Sequence, residues 1–204
     1  MLGYSSRHIH VVIKEDDGEA WRITGFYGEP EARNRHLSWE LLRRLHKQNN
    51  LPWIVFGDFN KILCNKEQRS KSIRPRWQIE NFRSVVEECN FHDLGYSGPL
   101  YTWTNRRDGD NEVSVRLDRA FVTPNFLQHF PLAQVHHICM ASSEHMVITV
   151  ELAQNHTTTP RRKKRFHFEE HWTTIEDCES IIREAWEVHQ GAILYIQCVK
   201  NQTH

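Results

Sequence analysis

The run Trp53-Ile-Val-Phe56 constrains the fold more than any other stretch. It is bulky, β-branched and aromatic, introduced by Pro52 and closed by Gly57. Its shortness and the turn residues at both ends make it a buried strand rather than a helix. At its exit stand Asp58 and Asn60, separated by Phe59. Residues two apart on a strand share a face, so the carboxylate and the amide project together. An acid beside a neutral hydrogen-bonding group at a buried strand's end suits polar chemistry in a cleft. Taken alone, the pair equally suits an Asx turn that ends a strand.

The flanking pattern supplies layers for that strand. His8 to Lys14 alternates and then meets the acidic turn Glu15-Asp16-Asp17-Gly18, after which Ala20 to Tyr27 forms a second strand. Trp21, Ile23 and Gly25 share one face of it, and Gly28 and Pro30 stop it. From Glu31 to Asn49, Leu37, Leu41, Leu42 and Leu45 fall at helical spacing. Ile79, Phe82, Val85, Val86 and Cys89 mark a second amphipathic helix. Strands are expected at 100–105, 113–122, 135–140 and 146–152, with one short helical turn at 124–130. Irregular alternation with hairpin returns predicts an α/β layered sandwich with a mixed sheet, not a doubly wound parallel sheet.

Beyond Leu152 the composition shifts. Gln154 to Pro160 is polar and threonine-rich, and Arg161 to Arg165 is an unbroken basic run. Residues 154–165 therefore read as a linker, and its basic run suits solvation, nucleic-acid contact or nuclear import equally. Ile175, Cys178, Ile181, Ile182, Ala185 and Trp186 then recur at helical spacing, so 166–204 reads as a helical tail. The domain proper is residues 1–153.

Charge and cysteine usage narrow the setting. Lys plus Arg and Asp plus Glu number 26 each, so no global field attracts a polyanion and any such binding needs a local patch. The five cysteines are odd in number and lack a C-x-x-C, which argues against a disulfide or zinc framework. A reducing intracellular compartment, nuclear or cytoplasmic, is the expectation. No apolar run approaches the roughly 18 residues of a membrane span, so no membrane partner is expected.

Two further constellations join Asp58 and Asn60. Asp118 lies within Arg116-Leu-Asp-Arg119, and an acid inside a strand pattern asks for a partner. Ser142-Ser-Glu-His145 stands just before the final strand. A carboxylate bonded to one imidazole nitrogen fixes the tautomer and raises basicity, so His145 suits Asp118. The plainer alternatives pair Asp118 with Arg116 or Arg119 and leave His145 as a loop histidine. His167 to His171 fits H-x-x-E-H, but it follows a charged linker and has no evident third ligand. His136 and His137 are adjacent on a strand and face opposite ways, a poor metal pair.

In this order, Gly57-Asp-Phe-Asn60, Tyr101-Thr-Trp103, Arg116-Leu-Asp-Arg119 and Ser143-x-His145 resemble the endonuclease/exonuclease/phosphatase superfamily. The chain is most similar in flavour to the apurinic-type endonuclease domain of plant non-LTR (LINE-type) retrotransposons. The likeness spans roughly residues 7–152 and extends weakly into Phe166 to Trp172. That tail resembles the segment leading to a reverse transcriptase.

The resemblance implies roles. Asp58 orients or deprotonates the attacking water, and Asn60 holds the scissile phosphate. His145 stabilises the pentacovalent charge and is positioned by Asp118. Tyr27 contacts the phosphate, with Thr102 and Ser143 close by. The implied substrate is DNA and the implied cofactor is Mg²⁺, which hard oxygen ligands favour over zinc.

Two departures follow from the same resemblance. Glu144 stands where the family has an aspartate, and as a candidate metal ligand it reaches one methylene further. Family domains also begin with a catalytic asparagine and the principal metal-binding glutamate, and this chain starts after both. Glu15, Asp16, Asp17 and Glu19 crowd a turn and do not replace that glutamate. The expectation is an N-terminally truncated domain with low stability, self-association through exposed sheet edges and weak or no nicking. The alternatives are a catalytically dead remnant that binds nucleic acid or a protein, and a phosphatase for small phosphorylated substrates.

Overall fold

A computed structural model describes residues 2–16, 18–107, 109–140 and 143–152. The helical tail, the basic run at 161–165 and the H-x-x-E-H match lie outside the described residues.

The sheet grows outward from the Trp53 strand. β1 (Leu2–Ser5), β2 (His8–Lys14) and β3 (Ala20–Tyr27) form an antiparallel meander. A crossover through helix α1 (Arg35–His46) brings β4 (Trp53–Asp58) parallel to β3. After a two-residue strand β5 (Gln68–Arg69) comes helix α2 (Arg76–Glu88), then strands β6 (His92–Asp93), β7 (Trp103–Thr104), β8 (Ser114–Val115) and β9 (Asp118–Val122). β9 pairs antiparallel with β4 and with β6, giving the mixed order β1-β2-β3-β4-β9-β6. β5, β8 and β7 form a small second sheet. Helix α3 (Pro124–His129) leads to the hairpin of β10 (Gln134–Ile138) and β11 (Val147–Glu151).

Side-chain alternation explains the layers. Trp53, Val55 and Phe121 point to the side covered by Trp39, Leu42 and Leu45 of α1 and Phe82 and Val85 of α2. Ile54, Ala120 and Val122 point to the other side, against Phe126 of α3 and Val135 of β10. The central strand is buried on both faces, as its unbroken apolar run requires. Trp21 and Ile23 share the second face, in agreement with their period-2 spacing.

One expected strand is divided. Residues 113–122 form β8 and β9 in different sheets, because Arg116 and Leu117 leave the ladder between them. The Arg116 amide donates to Glu67 O at 2.8 Å, and the Leu117 and Asp118 amides both donate to Thr102 Oγ1 at 2.9 Å. Chain connectivity through that crossing is what carries Asp118 from one sheet to the other.

Burial of imidazoles makes the fold acid-sensitive. His10 is buried on β2, hydrogen-bonded through Nδ1 to Thr24 Oγ1 at 2.8 Å, edge-on to Trp53. Desolvation, with Arg22, His8 and the N-terminus adding repulsion, holds its pKa down at about 4 against an ordinary 6.5. Burial lowers His8, His46 and His137 as well. The unfolded chain then takes up protons near pH 6.5 that the folded chain refuses until about 4. Stability is present above 6.5 and is lost as pH falls toward 4. The urea midpoint is expected to drop across that window, with a shallower slope in His10→Gln; equal slopes would remove His10 from the account.

Candidate active site

The site forms where β4 and β9 end side by side. Asp58 and Asp118 are directly opposed in that antiparallel pair, so their side chains emerge on the same face. Both are buried, at 5% and 7% exposure. Tyr27, the last residue of β3, stands in register with Asp58 on the other side. Gly57 sits at φ +137°, and a Cβ there would lie 2.1 Å from Phe26 O. Only glycine allows the strand to deliver Asp58 so close to β3.

Asp58 also closes an Asx turn. Its Oδ1 accepts the Asn60 amide N–H at 2.7 Å, with Asn60 in the left-handed region at φ +53°. Asn60 Nδ2 donates to Gly28 O at 2.8 Å and to Asp58 Oδ2 at 3.2 Å. The turn and the polar site are the same object, so the two sequence readings of these residues coexist.

His145 arrives from a separate part of the chain. It bridges Trp103 across an antiparallel contact just before β11, and its Nδ1 lies 3.1 Å from Asp118 Oδ2. A carboxylate only accepts, so Nδ1 carries the hydrogen and the ring orientation is fixed. Ser143 Oγ accepts the His145 amide N–H at 3.1 Å. Thr102 is fully buried; its hydroxyl oxygen holds the Asp118 amide and its carbonyl holds the Met146 amide at 2.8 Å. It therefore ties together the two segments that meet in the Asp118–His145 pair.

Ligand atoms of Asp58, Asp118 and His145 all lie within 4.8 Å of one another, the set among the described residues suited to a metal ion. Glu144 stands apart from it. Its side chain is exposed and accepts a hydrogen bond from Trp103 Nε1 at 3.3 Å. Tyr27 lies under the guanidinium of Arg7, 5.1 Å from its ring centre, and Arg7 is ion-paired with Glu29 at 2.8 Å. A cleft of about 390 Å³ opens beside the site, lined by Thr102, Trp103, Arg106, Ser143, Glu144 and His145.

Arg116 and Arg119 do not pair with Asp118. Alternation turns Arg119 to the opposite face, where its guanidinium meets Glu67 at 2.8 Å and Asp93 at 3.1 Å. Arg116 joins the same two acids at 3.2 and 2.8 Å. The four charges brace the crossing from β8 to β9. Sequence reasoning missed Glu67 and Asp93, which lie 23 to 52 residues before their partners and carry no local pattern.

Comparison with known proteins bears on the fold. The endonuclease domain of TRAS1, a telomere-specific non-LTR retrotransposon, superposes with a TM-score of 0.53 at 19% identity, covering 73% of this chain and 64% of that one. A 3′-5′ exonuclease (NExo) from Neisseria meningitidis gives 0.53 at 16% identity, over 72% and 65%. AP endonuclease LMAP from Leishmania major gives 0.51 at 17% identity, over 70% and 53%. The chain thus spans between 53% and 65% of the length of these three structures. No curated protein matches it. Among the described residues, no helix is long and apolar enough to cross a membrane. Residues 3–145, which contain all but the first residue of the mixed sheet and every side chain of the site, match the profile of the Endonuclease/Exonuclease/phosphatase family, and the chain belongs to it.

Proposed function

We propose that this chain is a divalent-metal-dependent phosphodiester hydrolase domain of retrotransposon-endonuclease type, acting on DNA. The reading is supported above all by one arrangement: an imidazole oriented by a buried carboxylate, beside a second buried carboxylate delivered by the neighbouring strand.

Each residue has a physical task in that reaction. Asp58 accepts the proton of the attacking water as the water oxygen bonds to phosphorus, the phosphorus–sugar oxygen bond breaks, and the departing sugar oxygen takes a proton from solvent. Asn60 has both amide hydrogens engaged, and a phosphate oxygen replaces the longer contact, the one to Asp58. A protonated His145 donates to the charge that develops on the phosphoryl oxygens, held in place by Asp118. Tyr27 and Ser143 border the same phosphate.

The donor set fits Mg²⁺. That ion is held by one or two protein carboxylates and fills its shell with water and substrate oxygens. Asp58 and Asp118 would hold it, and once bound it supplies Lewis-acid relief of phosphoryl charge. Glu144 is turned toward Trp103, and Asp118 already serves His145, so few carboxylate oxygens are left for the ion. Turnover is therefore slow in this reading.

Purified protein is expected to nick supercoiled plasmid slowly in Mg²⁺, not in EDTA, and not after Asp58→Ala. Nicking that persists unchanged in EDTA or in Asp58→Ala would sink the mechanism. Salt-sensitive DNA binding with no Mg²⁺-dependent nicking would leave a nucleic-acid-binding remnant in its place.

A further inference from the structure

Lys61 directly follows Asn60, yet its side chain is buried, with 3% exposure. It turns into a cavity of about 160 Å³ that it lines with Arg35, Trp39, Trp77, Gln78 and Asn81. Gln78 Oε1 accepts from Lys61 Nζ at 2.8 Å and from Arg35 at 3.2 Å, so two cations share one neutral oxygen. Arg35 donates again to Pro30 O at 3.1 Å, while its Nε is buried without a partner. Nearby carboxylates are committed elsewhere: Glu29 to Arg7, Glu31 to Arg33, Glu80 to Arg76.

The helices add to this field. Arg35 opens α1, and Trp77 and Gln78 lie in the first turn of α2. Neither first turn contains an acid or a side-chain cap. The positive end of α2 is therefore uncompensated at the cavity, whereas α1 continues from a 3-10 turn at Ala32–Asn34 that the acid Glu31 precedes. Burial, reinforced by Arg35 and Arg74, pushes the Lys61 ammonium down to about 7, and burial lowers Arg35 and Arg74 too. Buried like charges with no counter-ion are costly unless an anion joins them. At ~30 Å³ per water, the cavity has room for a phosphate group and its residual hydration.

We propose that the cavity between the first turns of α1 and α2 is a second phosphate subsite, which takes a backbone phosphate of the nucleic-acid strand whose scissile phosphate lies at Asn60. The assignment rests on the phosphodiesterase reading in one respect only, the identity of the strand. Such a strand carries further phosphates on either side of the scissile one, and Lys61 is the residue next to Asn60. Trp77, 59% exposed at the cavity, offers its ring to a base from that strand.

The test measures binding of a short DNA oligonucleotide to the full chain in EDTA, which separates binding from cleavage, across a salt series. Lys61→Met keeps the buried stem and removes the charge, so its melting temperature should equal or exceed that of the parent, which shows that it folds. Its affinity for DNA is expected to fall about ten-fold, with the log–log salt slope smaller by about one. Inorganic phosphate should quench tryptophan fluorescence in the parent, less so in Lys61→Met, and the oligonucleotide should compete. Unchanged affinity and slope in a folded Lys61→Met overturn the subsite. Lys61-dependent quenching by phosphate without competition by DNA overturns the nucleic-acid assignment. Lys61-dependent DNA binding alongside absent nicking upholds the subsite and defeats only the hydrolase reading.

Discussion

Glu67→Ala is expected to destabilise the protein by about 3–5 kcal/mol, the range found when one partner of a buried ion pair is removed. Glu67 receives Arg116 and Arg119, whose side chains are 6% and 0% exposed, and also accepts the Leu63 amide at 2.6 Å. Its loss leaves two buried guanidiniums sharing Asp93 alone. Domains of this size hold about 5–15 kcal/mol in total, so the variant should lose a large share of its stability. The exposed pair of Arg33 and Glu31, at 81% and 54%, provides the contrast: Arg33→Ala should shift stability by at most about 1 kcal/mol. Urea denaturation of both variants decides the matter, and a loss below about 1 kcal/mol for Glu67→Ala would show that the cluster is not structural. The Nε atoms of Arg116 and Arg119 are buried without partners. Replacing all four charges with well-packed apolar groups should accordingly be far milder than removing one.

Asp118→Asn should lower the nicking rate by about 10²–10⁴-fold, the usual contribution of a positioned acid–base group. The amide has nearly the shape of the acid, and the Thr102 hydroxyl still holds the residue 118 backbone. What changes is the Nδ1 contact of His145. An amide that offers NH₂ to the ring forces the other tautomer, and one that offers oxygen loses the charge that supports a protonated imidazole. Measured at saturating Mg²⁺, which offsets the weaker hold of an amide on the ion, the loss through His145 should appear in kcat with KM little changed. An unaltered rate in a variant with a native circular dichroism spectrum would dissolve the proposed pair.

The sequence was informative where chemistry follows local pattern. β2 and β3 have the bounds read from alternation, and both amphipathic helices lie near their expected ranges. Asp58 and Asn60 are two residues apart in the chain, and their shared turn could be read from D-x-N. The meeting of Asp58, Asp118 and His145 was approached only through the order of four motifs, since nothing local specifies which strands pair. β5 and β6 have two residues each, too few to show a period. The division of 113–122 was hidden because Arg116 and Leu117 continue a plausible alternation, while their partners, Glu67 and Thr102, come from distant loops. Lys61 carries no local pattern that marks it as buried; only the packing of α1 against α2 encloses it.

The direct opposition of Asp58 and Asp118 limits how this site can drift over generations. Loss of the single codon for Arg119 would leave Ala120 and Val122 anchored by their packing and would shift Asp118 by one step of the pleat. The acid would then swing through the sheet to the helix-covered side, into the company of Glu67 and Asp93, and Leu117 would take its place before the imidazole. Point substitutions can tune such a site gradually, whereas in-frame indels within the ladder dismantle it in one stroke.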